Sequence, residues 1–106
     1  MNAESHEFVE LAKELRDFAE MRDWNRFHSP KNLAMALAGE AGELVAEFQW
    51  LTEAESYPSS LTDNQVRAIE MEIADVQIYL IRLADVLGID LPIAVRAKMK
   101  FNEDRF

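Results

Sequence analysis

The longest regular pattern in the chain runs from Val66 to Leu87 and reads VRAIEMEIADVQIYLIRLADVL. Its apolar residues recur at alternating spacings of three and four, which is the period of one face of an α-helix. We call this face the seam; it consists of Val66, Ile69, Ile73, Val76, Leu80, Leu83 and Leu87. A second apolar stripe lies away from the seam and consists of Ala74, Ile78 and Ile81. Because the middle of this helix is apolar on more than one face, we expect a partner subunit to cover part of it.

Capping signals place the limits of this helix and of the one that follows. Thr62-Asp-Asn-Gln65 has the spacing of a capping box and opens the seam helix. Gly88 followed by Ile89 fits its C-terminal cap. Asp90-Leu-Pro92 then begins a fourth, basic helix, which is predicted to run from about Leu91 to Asp104.

Two further helices precede the seam. The first carries an apolar stripe and is predicted to end near Arg22, which leaves Asp23–His28 as a connection. Ser29-Pro30 begins the second, because Ser caps free N–H groups and Pro suits the first helical position. The second helix is predicted to reach about Leu51 or Thr52, and Glu53–Leu61 is predicted to be a loop.

The composition of the chain excludes several kinds of site and partner. The 106 residues include 20 acids, 11 bases, 3 Gly, 3 Pro and no Cys, for a net charge of −9. A thiolate metal site and a disulfide framework are therefore excluded, and neither nucleic acid nor a membrane is expected as the main partner. With no signal-peptide pattern and no uncharged apolar run of ~18 residues, we expect a cytoplasmic protein. The expected architecture is a single all-α domain over residues 1–106, a four-helix bundle completed by oligomerisation.

Two pairs of carboxylates stand at a spacing of three residues on the second and third helices. They are Glu40 with Glu43, and Glu72 with Asp75. Paired carboxylates on facing helices can converge on a hard cation such as Mg²⁺ or Mn²⁺. The same spacing also recurs along the first helix, where a solvated face explains it. A shared metal site and four ordinary surface acids therefore both remain open at this point.

The surroundings of these pairs separate them from the acids of the first helix. Glu40 and Glu43 lie in a stretch of small residues that contains Gly39 and Gly42. Each glycine inside a helix costs ~1 kcal/mol relative to Ala, and a close backbone approach would compensate for that cost. Glu72 and Asp75 each precede a seam residue, so they lie at the margin of the seam.

Several blocks of sequence, taken in order, resemble one family. They are Glu40-x-x-Glu43, Glu72-x-x-Asp75, the segment Arg22–Leu33, Glu47-Phe-Gln-Trp50, Asp75–Leu80, and the end from Asp90 through Lys98 and Asn102 to Arg105. The pattern resembles the MazG-like all-α nucleoside triphosphate pyrophosphohydrolases, and within them the dCTP pyrophosphatases. The likeness covers nearly the whole chain from residue 18 onward.

The resemblance implies hydrolysis of a nucleoside triphosphate between the α and β phosphates, giving a monophosphate and pyrophosphate. It implies Mg²⁺, with Mn²⁺ as the alternative, held by Glu40, Glu43, Glu72 and Asp75, which are also the catalytic carboxylates. It also implies base contacts from Trp24 and Trp50, a sugar contact from Tyr79, and phosphate contacts from Lys98 and Asn102. Members of the family assemble as homodimers, often paired into homotetramers, with sites built from neighbouring subunits.

Other substrates and another class of function remain open as alternatives to this interpretation. Animal dCTP pyrophosphatases place a base-contacting histidine in the first helix, whereas the stretch Glu14–Phe18 has none, so a broader deoxynucleotide range is plausible. Phosphoribosyl-ATP or dUTP would be alternative substrates within the same superfamily. A non-catalytic helical interaction module is the alternative from another class. His28 has no metal-ligand spacing and is interpreted as a loop histidine.

Overall fold

The computed structural model describes residues 3 to 106, with side chains from residue 6 onward, so Met1 and Asn2 of the predicted domain lie outside the described residues. Its four helices are α1 (Ala3–Met21), α2 (Pro30–Ala46), α3 (Asp63–Leu87) and α4 (Leu91–Arg105). Between residues 3 and 106 there is no β-strand. The predicted all-α fold with four helices is confirmed. None of the described helices is long and apolar enough to cross a membrane.

Helix α3 is the centre of the fold. It packs along α2 and against α1, while α4 packs mainly against α1. Among the residues with described side chains, the buried apolar ones come from α1, α2 and α3, and they are Ala19, Leu33, Ile69, Ile81 and Ala84. Burial of a large aliphatic side chain stabilises a fold by about 1.5–3 kcal/mol. Because this core is small, it provides only part of the stabilisation that the apolar content of the sequence could give.

The seam is only partly covered within one chain. Ile69 is buried, but Ile73 is 53% exposed. In the second stripe Ile81 is buried and Ile78 remains exposed. The radius of gyration is 16.3 Å, compared with about 13 Å for a compact domain of this length. The chain by itself therefore leaves the faces of α3 incompletely packed, as the sequence pattern predicts.

The predicted caps of α2, α3 and α4 are all present. Ser29 Oγ accepts a hydrogen bond from the Asn32 N–H at 3.1 Å, and Thr62 forms the capping box with Gln65. Gly88 ends α3 in the left-handed conformation with φ of 70°. Asp90 caps α4 by accepting from the Ile93 N–H at 3.1 Å.

The predicted end of α2 was wrong. The helix stops at Ala46 rather than at Leu51 or Thr52, and residues 47–50 continue as turns. The Glu47 N–H donates to the Leu44 carbonyl at 3.1 Å, which is a tighter three-residue bond that replaces α-helical bonding. Two short 3₁₀ helices, Ala54–Ser56 and Pro58–Ser60, then occupy the predicted loop. The missed signal is Thr52-x-x-Glu55, whose side chains cap each other's backbone N–H groups.

The hydrogen bonds at the end of α1 set the direction of the backbone at Trp24. The Trp24 N–H donates to the Ala19 carbonyl at 2.9 Å and the Asp23 N–H to the Glu20 carbonyl at 3.1 Å. These two bonds form a Schellman motif with Asp23 in the left-handed position at φ of 56°. The motif turns Trp24 back onto α1, where its ring meets Phe18 edge-on with the ring centroids 5.4 Å apart.

Candidate active site

Three of the four predicted carboxylates converge between α2 and α3. Glu40 and Glu43 extend from α2 and Glu72 from α3, and one carboxylate oxygen of each lies within 4.8 Å of the others. The packing of α2 along α3 brings the two acid pairs together. We call Glu40, Glu43, Glu72 and Asp75 the carboxylate cluster.

The cluster has oxygens that lack partners. Glu40 Oε2 and Glu72 Oε2 are both buried and neither has a hydrogen-bond partner. Of the ion pairs that the structure describes, none includes a member of the cluster. Unpaired buried oxygens are costly, and a divalent cation would compensate them. The donor set consists of carboxylate oxygens, the ligands that Mg²⁺ and Mn²⁺ prefer, so these residues fit such an ion.

The electrostatics of the cluster reflect this crowding. Burial raises the pKa of Glu40, and the charges of Glu43 and Asp75 raise it further. The pKa of Glu72 is raised by burial and then by the same two neighbours, followed by Glu47. Asp75 therefore acts on both Glu40 and Glu72, although it is not one of the three residues whose oxygens converge. A bound cation would reverse this repulsion.

A cleft of about 710 Å³ opens beside the cluster, between α1 and α3. Its walls are largely apolar, and the aromatic rings of Trp24 and Tyr79 form part of them. Glu40 and Asp75 also line it, so the carboxylate cluster borders the cleft. An apolar cavity of this size with a few polar groups at one side is typical of a small-molecule site.

The other predicted nucleotide contacts lie elsewhere in the chain. Trp50, Lys98 and Asn102 do not line the cleft. Trp50 follows α2 and is 88% exposed. The Lys98 ammonium lies over the Phe101 ring, 4.5 Å from its centroid, and Asn102 is half-buried on α4. The single chain thus brings Trp24 and Tyr79 to the cleft but leaves these three residues apart from it.

The close approach predicted at the two glycines is not found within the chain. A Cβ atom added at Gly39 or Gly42 would meet nothing within 4 Å. Both glycines lie on an exposed part of α2, because the contact with α3 is made by other residues of the helix. The prediction was therefore wrong for contacts inside one chain.

A second charged cluster, missed in the sequence, includes two residues that line the cleft, His28 and Arg82. Arg82 is 7% exposed and donates from Nε to His28 Nδ1 at 3.2 Å and from Nη2 to Asn25 Oδ1 at 2.7 Å. It also donates from Nη1 to Asp85 Oδ2 at 3.3 Å. Asp85 in turn accepts two bonds from Arg16, at 2.8 and 3.0 Å. We call Arg16, Asn25, His28, Arg82 and Asp85 the arginine network.

The network sets the protonation of its members. The hydrogen bonds from Arg16 lower the pKa of Asp85 below its usual value. The charges of Arg16 and Arg82 lower it further. Burial and the charge of Arg82 lower the pKa of His28. Since His28 Nδ1 accepts from an arginine, its proton is on Nε2 and the ring is neutral. His28 is thus a loop histidine, as predicted, but one with a specific partner. The signal was Arg82-x-x-Asp85, an opposite-charge pair within an apolar helix.

Comparisons with known proteins agree with this architecture. The MazG-like family model matches residues 36–105. Human dCTP pyrophosphatase 1 is 46% identical over 90 residues, which cover 85% of this chain and 53% of that protein. The rat dCTP pyrophosphatase 1 is equally similar, with the same coverage. The chain thus spans about half the length of the curated relatives it matches.

A solved structure extends the agreement to the fold. A pyrophosphatase from Archaeoglobus fulgidus superposes with a TM-score of 0.86 at 40% sequence identity, covering 95% of this chain and 93% of the other. By sequence, by family model and by fold, the chain belongs to the MazG-like family.

Proposed function

We propose that the protein is a Mg²⁺-dependent (deoxy)nucleoside triphosphate pyrophosphohydrolase, which cleaves between the α and β phosphates to give a monophosphate and pyrophosphate. The observation that carries this proposal is a cluster of converging carboxylates with unpaired oxygens, beside an apolar cleft walled by Trp24 and Tyr79. Relatives named dCTP pyrophosphatase support it. A role in trimming the cytoplasmic deoxynucleotide pool fits this activity.

The residues of the chain divide the work between base and phosphate. Trp24 and Tyr79 would enclose the base and sugar, since stacking on an aromatic ring stabilises a bound base by about 1–3 kcal/mol. Glu40, Glu43, Glu72 and Asp75 would hold the cation. When bound, a divalent cation neutralises charge on phosphate oxygens and positions water for attack. Lys98 and Asn102 would contact the phosphates.

The substrate range follows from the wall of the cleft on α1. Leu11, Leu15 and Phe18 make this wall mainly apolar, and Glu14 is the one residue lining it from α1 whose side chain can form a hydrogen bond. A site that selects by hydrogen bonding rejects analogues strongly, whereas an apolar wall discriminates only weakly. We therefore expect dCTP to be one of several deoxynucleotides accepted. A panel that includes dCTP, dUTP and phosphoribosyl-ATP, assayed for the monophosphate product, decides between the dCTP branch and its alternatives.

The catalytic unit is proposed to be a homodimer or a homotetramer. The chain exposes 8125 Å² of surface, compared with about 6,100 Å² for a compact monomer of this mass. The excess exceeds the ~800 Å² that each partner buries in an interface of standard size. Assembly would cover exposed apolar side chains of α2 and α3, among them Met35, Met71 and Ile73, and would bring Trp50, Lys98 and Asn102 towards a cleft. Light scattering on wild type and on Ile73→Glu tests this, because the variant should dissociate.

The activity itself is tested by pyrophosphate release from dCTP. We expect EDTA to abolish release, Mg²⁺ to restore it, and Glu43→Gln to lower it by about a hundredfold or more. The matched control is Glu7→Gln, which removes an exposed acid of the i, i+3 series on α1 and should leave turnover unchanged. Undiminished turnover in EDTA and in Glu43→Gln would contradict the proposal.

The exposed apolar faces also fit a non-catalytic helical interaction module. The two functions differ in ligand binding. A nucleotide with Mg²⁺ at a hundredfold excess over its Kd should stabilise a true binder by about 2.7 kcal/mol. An absence of stabilisation by Mg²⁺ and the nucleotide panel would favour the interaction module.

A further inference from the structure

The segment that carries Trp24 to the cleft is anchored to α3 through one side chain. Asn25–Phe27 forms a 3₁₀ helix that His28 ends, and this segment joins α1 to α2. Of the side-chain hydrogen bonds that the structure describes, only those of Arg82, to Asn25 and His28, join this segment to α3. Its remaining described hydrogen bonds lie within the segment or run to α1 and to the start of α2.

The anchor reaches the Trp24 ring through its neighbours. Phe18 meets one part of the ring, and His28 lies near it with the ring centroids 6.2 Å apart. Arg82 holds His28 by Nδ1 and holds Asn25, the residue next to Trp24, by its side-chain oxygen. Trp24 thus meets one ring carried by α1 and lies near another ring held by Arg82.

The guanidinium of Arg82 suits this task. It is the only buried charged group among the residues from His6 onward, and it uses three different nitrogens for three acceptors. A planar fork with five N–H donors can meet acceptors in several fixed directions, whereas a lysine ammonium is a single point on a flexible stem. Asp85, itself held by Arg16, orients the fork from α3.

We propose that Arg82 is a positioning residue for nucleobase binding, which acts by holding Asn25 and His28 so that the Trp24 ring stays as one wall of the cleft. This role rests on the proposed function for its substrate, but the position of Trp24 can be measured without any substrate. Arg82 then affects how tightly the base is held and leaves the phosphate chemistry at the carboxylate cluster unchanged.

The direct test is the fluorescence of Trp24 in a Trp50→Phe background, where it is the sole tryptophan. In nucleotide-free protein, Arg82→Lys and Asn25→Ala should each shift its emission to the red and increase its quenching by acrylamide. The matched control is Arg67→Lys, because Arg67 lies on the same helix, is exposed and bonds only to Asn64 among its described partners. Asn25 is exposed, so Asn25→Ala answers the question even if the Arg82 variant fails to fold.

Kinetics on the oligomer with native Trp50 give the second test. Both variants should raise KM for the nucleotide by about tenfold, within the range of one lost base–aromatic stack, and keep kcat within about twofold. A Trp24 signal unchanged in folded Asn25→Ala and Arg82→Lys would overturn the proposal, as would a lower kcat with unchanged KM. If wild type hydrolyses no nucleotide, the proposed function fails, and the fluorescence alone decides whether Arg82 positions Trp24.

Discussion

Helix α3 carries two charged pairs with the same three-residue spacing and opposite surroundings. Glu72 and Asp75 belong to the carboxylate cluster, where buried oxygens of Glu40 and Glu72 have no partner. Arg82 and Asp85 belong to the arginine network, where both carboxylate oxygens of Asp85 accept hydrogen bonds from arginines. In the first cluster, the unpaired oxygens and raised pKa values of Glu40 and Glu72 would favour a bound cation. The second is complete within the chain and is suited to holding a segment in place.

The largest effect that separates the two clusters is expected from Glu72→Gln. Loss of one ligand should lower pyrophosphate release by about a hundredfold. The same change removes a charge that its neighbours repel, so the metal-free protein should become more stable than wild type. Thermal unfolding in EDTA measures this, with Glu70→Gln as the control, because Glu70 is exposed on the same helix. Lower stability of metal-free Glu72→Gln would contradict the reading of the cluster as unpaired.

Asp85→Asn should have the opposite effect on stability. It leaves the buried Arg82 without its ionic partner, and we expect the free energy of unfolding to fall by about 2 kcal/mol, between the values for exposed and buried pairs. The matched control is Asp17→Asn, whose exposed pair with Lys13 has a contact of 3.0 Å. This surface pair should contribute about 0.5 kcal/mol or less. Equal losses in the two variants would mean that the network gives no special stability.

The two clusters should also respond to acid in opposite directions. The raised pKa values of Glu40 and Glu72 mean that the folded state binds protons more readily than the unfolded chain. Their contribution is fully present below the ordinary glutamate pKa, near 4.5, and is lost as the pH rises through the raised values. The lowered pKa of Asp85 has the reverse sign, so its contribution is present above 3.8 and is lost as the pH falls through the lowered value.

Metal-free protein should therefore gain stability as the pH falls from 7 towards 4.5 and lose it again at lower pH. Denaturant unfolding across this range measures both limbs. Glu72→Gln should reduce the gain in stability as the pH falls towards 4.5. Asp85→Asn should reduce the loss of stability at lower pH. If Asp85→Asn loses stability at low pH as much as wild type does, the Asp85 carboxylate is not the cause of that loss.

Sequence reasoning located the first cluster and missed the second for a physical reason. Glu40-x-x-Glu43 and Glu72-x-x-Asp75 are local patterns on two helices, and the family resemblance, rather than the spacing alone, implied that the two pairs share a site. The partners of Arg82 lie 54 and 57 residues away, in a connection without periodicity. No local pattern indicates which acceptors a buried arginine will meet. The end of α2 was missed because tight three-residue bonds replace helical ones gradually after Leu44.

The smallest expected effect concerns the backbone turn that precedes the arginine network. Asp23 and Gly88 occupy the same left-handed position in the Schellman motifs that end α1 and α3. Asp23→Gly relieves a strained backbone but gives the unfolded chain more freedom, so the free energy of unfolding should change by less than about 0.5 kcal/mol. Gly88→Ala adds strain that outweighs the freedom it removes from the unfolded chain, so it should cost about 1 kcal/mol.

Quenching of Trp24 distinguishes the effect of the backbone turn at Asp23 from that of the arginine network. The Trp24 N–H bond to Ala19 does not depend on the side chain of Asp23, so Asp23→Gly should leave the quenching of Trp24 unchanged. Asn25→Ala keeps the same turn but removes one acceptor of Arg82 and should increase that quenching. Equal quenching changes in the two variants would show that the backbone turn, rather than the arginine network, determines where the Trp24 ring lies. Because the two substitutions are only two residues apart, any general loosening of the segment would affect both.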